Sequence, residues 1–145
     1  MVYPKSIAHR IKYAFWRVYT PLHPYVRDAA LRVGITWHEP GRQPFCLGKL
    51  APEYSLQDVV LHLIANGYGN YFVAWRDDDE ILSMRKTQNF VYQYHLRIYA
   101  DGEIRGHYEY TPECHPIRHI QEVGLENRRE HFLELLGEHI VFSDL

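Results

Sequence analysis

The residues best suited to chemistry lie in one stretch, residues 90–111, which reads FVYQYHLRIYADGEIRGHYEYT. Two runs rich in β-branched and aromatic residues flank an Asp-Gly pair, which is typical of a hairpin turn. A three-residue loop over 100–102 pairs Tyr99 with Glu103 and separates the side chains into an apolar face and a polar face. A two-residue loop mixes both kinds on both faces, so the sequence predicts the three-residue loop.

The polar face of this hairpin carries the residue types that cleave a phosphodiester bond without a metal. The register places His95 opposite His107 and Arg97 opposite Arg105. Like charges in these positions are unfavourable unless nearby acids, such as Glu103 and Glu109, or a bound anion offset them. The candidate groups for proton transfer are His95, His107, Glu103 and Glu109. The candidates for binding a phosphate and stacking on a base are Arg97, Arg105 and an exposed Tyr99.

These residue types predict a small protein that binds or cleaves an RNA or nucleotide phosphate. The enzyme class would be a metal-independent ribonuclease or phosphodiesterase, which needs no cofactor. One imidazole or carboxylate takes a proton from the ribose hydroxyl, and a second imidazole protonates the leaving oxygen. Histidine suits both steps because its ordinary pKa is about 6.5. Two other interpretations of the polar face stay open, namely a solvent-exposed sheet surface and a metal-binding surface.

A metal-binding alternative comes from the segment after the hairpin, which reads TPECHPIRH. Pro116 fits the first position of a short helix that His115 would cap. His115 and His119 are four residues apart, a spacing that places two imidazoles on one helix face, as a zinc site requires. Cys114 is the third candidate ligand, and Glu113 is a candidate orienting carboxylate. Zinc is therefore the one cofactor that the sequence suggests.

The elements that must hold these residues follow from hydrophobic periodicity and capping signals. The patterns predict helices over 6–19, 24–33, 56–66 and 127–140. They predict strands over 45–50, 71–76 and 80–86, in addition to the two strands of the hairpin. Ser55 and Asp58 form a capping-box pattern at the start of the third helix. Residues 35–44 are predicted as a loop, and the acidic run 77–79 as a solvated turn.

Length and connections indicate the fold class. The 145 residues fit a single α+β domain over 1–145, with a basic helical arm over 1–34 and a sheet–helix core over 45–145. Short hairpin connections favour an antiparallel sheet of about four or five strands over a parallel sheet. We expect the helices to pack mainly on one face of this sheet, with those at 24–33, 56–66 and 127–140 covering its apolar side.

Charge is distributed unevenly along the chain. The formal net charge is −2, but residues 1–50 carry +6 and residues 51–145 carry −8. The first predicted helix is basic and amphipathic, and no acid precedes Asp28. Such a helix is typical of a membrane-surface segment, a nucleic-acid contact or a mitochondrial transit peptide. An apolar stripe most often faces a core, so packing on the sheet is the favoured expectation, and projection from the core stays open as the alternative.

Composition indicates the class of protein and the cellular compartment to expect. Hydrophobic residues make up 46% and charged residues 23%, as in globular proteins. No apolar run approaches the roughly 20 residues that span a bilayer, and no secretory-signal pattern is present. With only Cys46 and Cys114, a disulfide framework is not expected, which favours a reducing cytoplasm. The aromatic content of 14% also fits a non-catalytic interaction module or a subunit of a homo-oligomer.

Overall fold

A computed structural model describes residues 7–34, 45–69, 79–120 and 123–142, which contain both helices and strands. The helices are α1 (Ile7–Tyr19), α2 (His23–Arg32), α3 (Leu56–Ala65), α4 (Pro116–Ile120) and α5 (Arg129–Leu136). The strands are β1 (Cys46–Leu50), β2 (Glu80–Gln88), β3 (Tyr92–Tyr99), β4 (Glu103–Tyr110) and β5 (Ile140–Phe142). Short 3-10 helices follow α1 and α5, at Thr20–Leu22 and Gly137–His139.

The five strands of the described residues form one antiparallel sheet in the order β2-β3-β4-β1-β5. Strands β2, β3 and β4 follow one another as a meander. Strand β1 then pairs with β4, and β5 pairs with the outer side of β1. The predicted α+β class with an antiparallel sheet is therefore confirmed.

The hairpin of β3 and β4 has the predicted register. Ile98 pairs with Ile104, and the pairing continues without a shift along the two strands. Gly102 has a φ of 83°, which glycine adopts without steric cost, and its N–H donates to the carbonyl of Tyr99 at 2.9 Å. The three-residue loop over 100–102 is thus confirmed, and the polar side chains of both strands share one face.

The apolar face of the sheet packs against α3 and α5. The buried cluster between them includes Leu47, Val59, Leu63, Met84, Leu96, Ile98, Ile104, Phe132, Leu136 and Ile140. The predicted capping box fixes the start of α3, since the Asp58 N–H donates to Ser55 Oγ at 3.2 Å and the Ser55 N–H donates to Asp58 Oδ2 at 2.8 Å. Two of the three predicted covering helices, α3 and α5, are therefore in place.

Two predictions about helices are wrong, and for a third helix the structure shows the less favoured of two alternatives. The last helix does not reach residue 140, because α5 ends at Leu136 and Ile140 begins strand β5. The helix α2 adds no described side chain to the buried cluster, and its Tyr25 and Val26 are exposed. The stripe of α1 does not pack on the sheet but is also exposed. The predicted loop at 35–44, the strand at 71–76 and most of the turn at 77–79 lie outside the described residues.

Candidate functional site

Most of the polar face of the β3–β4 hairpin is buried, and only Glu103 and Arg105 at its loop end are half-buried. His107 and Glu109 expose only 1% and 2% of their surface, and Tyr99 is buried as well. The interpretation as a solvent-exposed sheet surface is therefore wrong, and so is the exposure expected for Tyr99. Among the described residues, the Phe45 ring lies 5.5 Å from the His107 ring, and His119 of α4 reaches Glu109. The polar residues are thus held between the sheet and other parts of the chain.

Two imidazoles and one carboxylate converge at the centre of this face. His95 and His107 are directly paired across β3 and β4, and Glu109 follows two residues later on the same side of β4. His107 Nε2 lies 3.0 Å from Glu109 Oε1, and His95 Nδ1 lies 3.3 Å from that same oxygen. One ligand atom from each of the three residues lies within 4.8 Å of the others, so one small ion fits among them.

Hydrogen bonds from neighbouring residues orient two of these three side chains, His95 and Glu109. The Ser83 hydroxyl of β2 lies 2.7 Å from His95 Nε2, which is the ring nitrogen that faces away from Glu109. Gln93 Nε2 donates to Glu109 Oε1 at 2.8 Å. His119 Nδ1 lies 3.3 Å from Glu109 Oε2 and 3.0 Å from the Tyr110 carbonyl. Metal ligands in proteins are usually oriented by outer hydrogen bonds of this kind.

The pKa shifts of His95 and Glu109 favour the forms of these two residues that bind a cation. Burial lowers the pKa of the His95 imidazole well below its ordinary value, and this outweighs the opposing hydrogen bond to Glu109. Burial alone would raise the pKa of the Glu109 carboxyl, but the imidazoles of His119 and His107 hold it well below its usual range. A neutral imidazole and an ionised carboxylate are the forms that bind metal ions.

The two facing arginines of the hairpin have acidic partners. Arg97 NH1 lies 3.2 Å from Glu80 Oε2, and Arg105 forms an ion pair with Glu103. The Arg105 guanidinium also lies 4.5 Å above the centre of the Tyr99 ring. We expected Glu103 and Glu109 to offset these charges. Glu103 does so for Arg105. Arg97 is paired with Glu80 instead, because Glu109 contacts the imidazoles.

A further buried pair extends the network toward the segment after β4. Arg85 forms an ion pair with Glu113, and a second hydrogen bond between them is 2.9 Å long. The Arg85 guanidinium also donates to Gln93 Oε1 at 2.8 Å. Because Gln93 in turn donates to Glu109, a chain of hydrogen bonds links the imidazole–carboxylate cluster to Glu113. Opposite charges therefore compensate one another along this buried face.

The metal ligands predicted after the hairpin lie apart. Helix α4 starts at Pro116, as predicted. His119 turns toward Glu109, while the His115 ring packs edge-on against the Tyr110 ring at 4.8 Å. Within the described part of the chain, the group of ligand atoms that converges does not include Cys114, His115 or His119. Cys114, His115 and His119 therefore remain a predicted ligand set, and their ligand atoms do not converge among the described residues.

Several residues of the site were missed from the sequence. Glu80, Ser83 and Arg85 all belong to β2, and their side chains reach the residues of β3. The predicted strand over 80–86 contained all three. The alternation of that strand places Ser83 and Arg85 on one face, and this signal was available. The pairing of β2 with β3, which aligns Arg85 with His95, was the missing information.

A cavity of about 350 Å³ opens beside the hairpin loop. Its lining combines Tyr99 and Arg105 with the acids Asp79, Asp101 and Glu103, together with Ala100. The acids outnumber the single arginine, so the cavity favours a cation or an amine over a phosphate.

Comparison of the chain with protein-family models, curated proteins and solved structures finds no match in any of the three. No described helix has the length and apolar character required to cross a membrane. The observations define an α+β protein with a buried cluster of two histidines and one glutamate.

Proposed function

We propose that this protein binds a divalent transition-metal ion through His95, His107 and Glu109. The observation that carries the proposal is the approach of two imidazole nitrogens, from neighbouring strands, to one carboxylate oxygen. Imidazole and carboxylate are the protein ligands of many zinc and non-haem iron sites. Three protein ligands leave a coordination position for water or substrate, as catalytic metal sites do.

Burial supports a cation at this point. A buried carboxylate is costly unless it is paired, and the basic groups that contact Glu109 are imidazoles rather than a guanidinium. The arginines nearby are already used by Glu80, Glu103 and Glu113. A metal ion would supply the positive charge at the oxygen where both imidazoles point.

Metal binding requires a change in the proton positions of the imidazoles. A carboxylate oxygen only accepts, so each ring nitrogen now beside Glu109 holds a proton that the metal must replace. In His95 the proton moves to Nε2, where it is donated to Ser83 Oγ 2.7 Å away. A serine hydroxyl can hydrogen-bond to Nε2 in either tautomer of the ring, since it can both donate and accept. Ser83 therefore allows His95 to exist in both forms without a loss of hydrogen bonding.

A zinc titration of the metal-free full chain by calorimetry tests the proposal, with ferrous iron under nitrogen as a second titrant. We expect about one equivalent to bind. Glu109→Gln and His107→Ala should each abolish binding. His131→Ala is the matched control, because His131 lies on the opposite face of the sheet, stacked on Tyr94, and it should bind as the unaltered chain does.

Two results would contradict the proposal. One is failure of the unaltered chain to bind either metal. The other is loss of binding in His131→Ala to the same extent as in Glu109→Gln. Circular dichroism distinguishes a lost ligand from a lost fold. Glu109→Gln keeps the shape of the side chain, so it is the variant to interpret if His107→Ala unfolds.

A phosphate-directed activity is the second candidate function. We propose it because two imidazoles, which can serve as general acid and general base, lie close together, with the ring centres of His95 and His107 5.0 Å apart. A phosphate would have to displace Glu80 and Glu103 from the arginines, which ranks this function below metal binding. A ribonuclease assay separates the two. Metal-independent cleavage would persist with a chelator present and disappear in His95→Ala. Loss of all cleavage with the chelator would reject the metal-independent activity.

We also propose a cytoplasmic location, because Cys46 and Cys114 are both present as thiols. A homo-oligomer or a non-catalytic interaction module is a further proposal, for which the aromatic content is the support. Light scattering of the purified chain measures the number of copies. Fractionation of cells that produce it measures the location.

A further inference from the structure

The helix α1 presents an apolar stripe to solvent. Ile7, Ile11, Phe15 and Val18 expose 76%, 64%, 63% and 76% of their surface. At about 100° per residue, these positions fall on one side of the helix. Phe15 also stacks on Tyr19, with ring centres 5.9 Å apart. A contiguous exposed apolar surface of this kind marks an interaction site rather than an ordinary helix surface.

The charges beside the stripe are positive. No aspartate or glutamate occurs in Ile7–Tyr19, and Arg10 and Arg17 are exposed. These two arginines are seven residues apart, so they lie along one edge of the apolar stripe. Residues 1–50 as a whole carry a charge of +6. The surface therefore combines an apolar stripe with a basic border. It fits a partner that has an apolar interior and an anionic surface.

We infer that α1 binds the surface of an anionic lipid bilayer and lies in the plane of the interface. The apolar stripe enters the boundary between headgroups and acyl chains, while the arginines extend to the lipid phosphates. Helix α1 has 13 residues, which is too short to span a bilayer and long enough to lie on one. Tyrosine, as at Tyr19, is favoured at membrane–water interfaces, and phenylalanine, as at Phe15, is typical of the apolar face of interfacial helices.

Other kinds of partner would match only one of the two features of this surface, either the apolar stripe or the basic border. A nucleic acid would pair with Arg10 and Arg17 but would leave the apolar stripe in water. A second copy of the chain would cover the stripe but would bring the arginine borders of two copies together. The bilayer satisfies both features at once. This inference does not depend on the metal site, which lies on the sheet.

Co-sedimentation of the full chain with lipid vesicles tests the inference. The vesicles contain phosphatidylcholine alone or phosphatidylcholine with phosphatidylserine. We expect the chain to bind the vesicles that contain phosphatidylserine and to bind those of phosphatidylcholine alone more weakly. Binding to the anionic vesicles should decrease as salt is added. Replacing each arginine by alanine should lower the partition coefficient about fivefold. Ile11→Ser with Phe15→Ser should lower it about a hundredfold or more.

Leu61→Ser with Ile64→Ser is the matched control. Both residues are exposed apolar side chains of α3, and their replacement should leave vesicle binding unchanged. Because all these side chains are exposed, the variants should fold normally, which circular dichroism checks. The inference is overturned if the chain does not sediment with anionic vesicles, or if the α1 variant binds them as well as the control. Binding to RNA without binding to vesicles, or self-association that the α1 variant abolishes, would also overturn it.

Discussion

The imidazole rings of His95 and His107 lie 5.0 Å apart and are inclined by 70° to each other. His95 presents Nδ1 and His107 presents Nε2 to the same oxygen of Glu109. The pairing register of β3 with β4 creates this relationship, since it places the two histidines directly opposite each other. A slip of one residue between the strands would place the two rings on opposite faces of the sheet. The candidate metal site therefore depends on the hairpin loop that fixes the register.

His119 should act as a positioning residue for the metal. Its Nδ1 contacts Glu109 Oε2 and the Tyr110 carbonyl, and it belongs to α4 rather than to the sheet. Because outer hydrogen bonds tune metal affinity, we expect His119→Ala to weaken zinc binding about 10–100-fold while the stoichiometry stays the same. Calorimetry measures both quantities.

His115→Ala is the control for this variant, because His115 is on the same short helix and packs on the Tyr110 ring. We expect its zinc affinity to be unchanged. Equal weakening in both variants would instead support the ligand set predicted from the spacing of His115 and His119.

The buried pair of Arg85 and Glu113 should be sensitive to the loss of one partner. Glu113→Ala removes the carboxylate from a buried guanidinium, and we expect a loss of about 3–5 kcal/mol in the free energy of unfolding. Replacing both residues together, as Arg85→Met with Glu113→Leu, should restore most of that loss. Urea denaturation measures each variant. The exposed pair of Arg128 and Glu126 is the control, and Glu126→Ala should change stability little.

Gly106 should be intolerant of larger side chains. It lies in the middle of β4, and a Cβ there would come within 3.0 Å of both Phe132 and Leu47. We expect Gly106→Val to cost about 1–3 kcal/mol through overpacking. Phe132→Leu in the same chain should relieve part of this cost. If the two changes are additive in thermal unfolding, then Phe132 does not limit the space at position 106.

The capping box of α3 should contribute to stability in a pH-dependent way. Ser55→Ala should cost about 1 kcal/mol. The hydrogen bonds from Ser55 lower the pKa of the Asp58 carboxyl below its ordinary value of 3.8. The contribution of Asp58 is therefore present above that pH and is lost as the pH falls through the lowered pKa. Stability curves of the unaltered chain and Asp58→Asn should converge in acid, and a constant difference would argue against the box.

The hairpin could be predicted from sequence because a period of two separates its polar and apolar residues. The same is true of α3, where Ser55 and Asp58 mark the start. The burial of the polar face could not be predicted, since alternation shows which face is polar but not whether another segment covers it. The partners from β2, such as Glu80, depend on a strand pairing between segments. The end of α5 was missed because Ile140 fits both a helical stripe and the short strand β5.

The most direct test of the metal site is a zinc titration followed by correlation spectra of the imidazole nitrogens and hydrogens. Single-histidine variants assign each ring. We expect the signals of His95 and His107 to shift together up to about one equivalent, while those of His62 and His131 stay in place. Unchanged signals from His95 and His107, while other rings shift or none does, would contradict a metal site on the buried hairpin face.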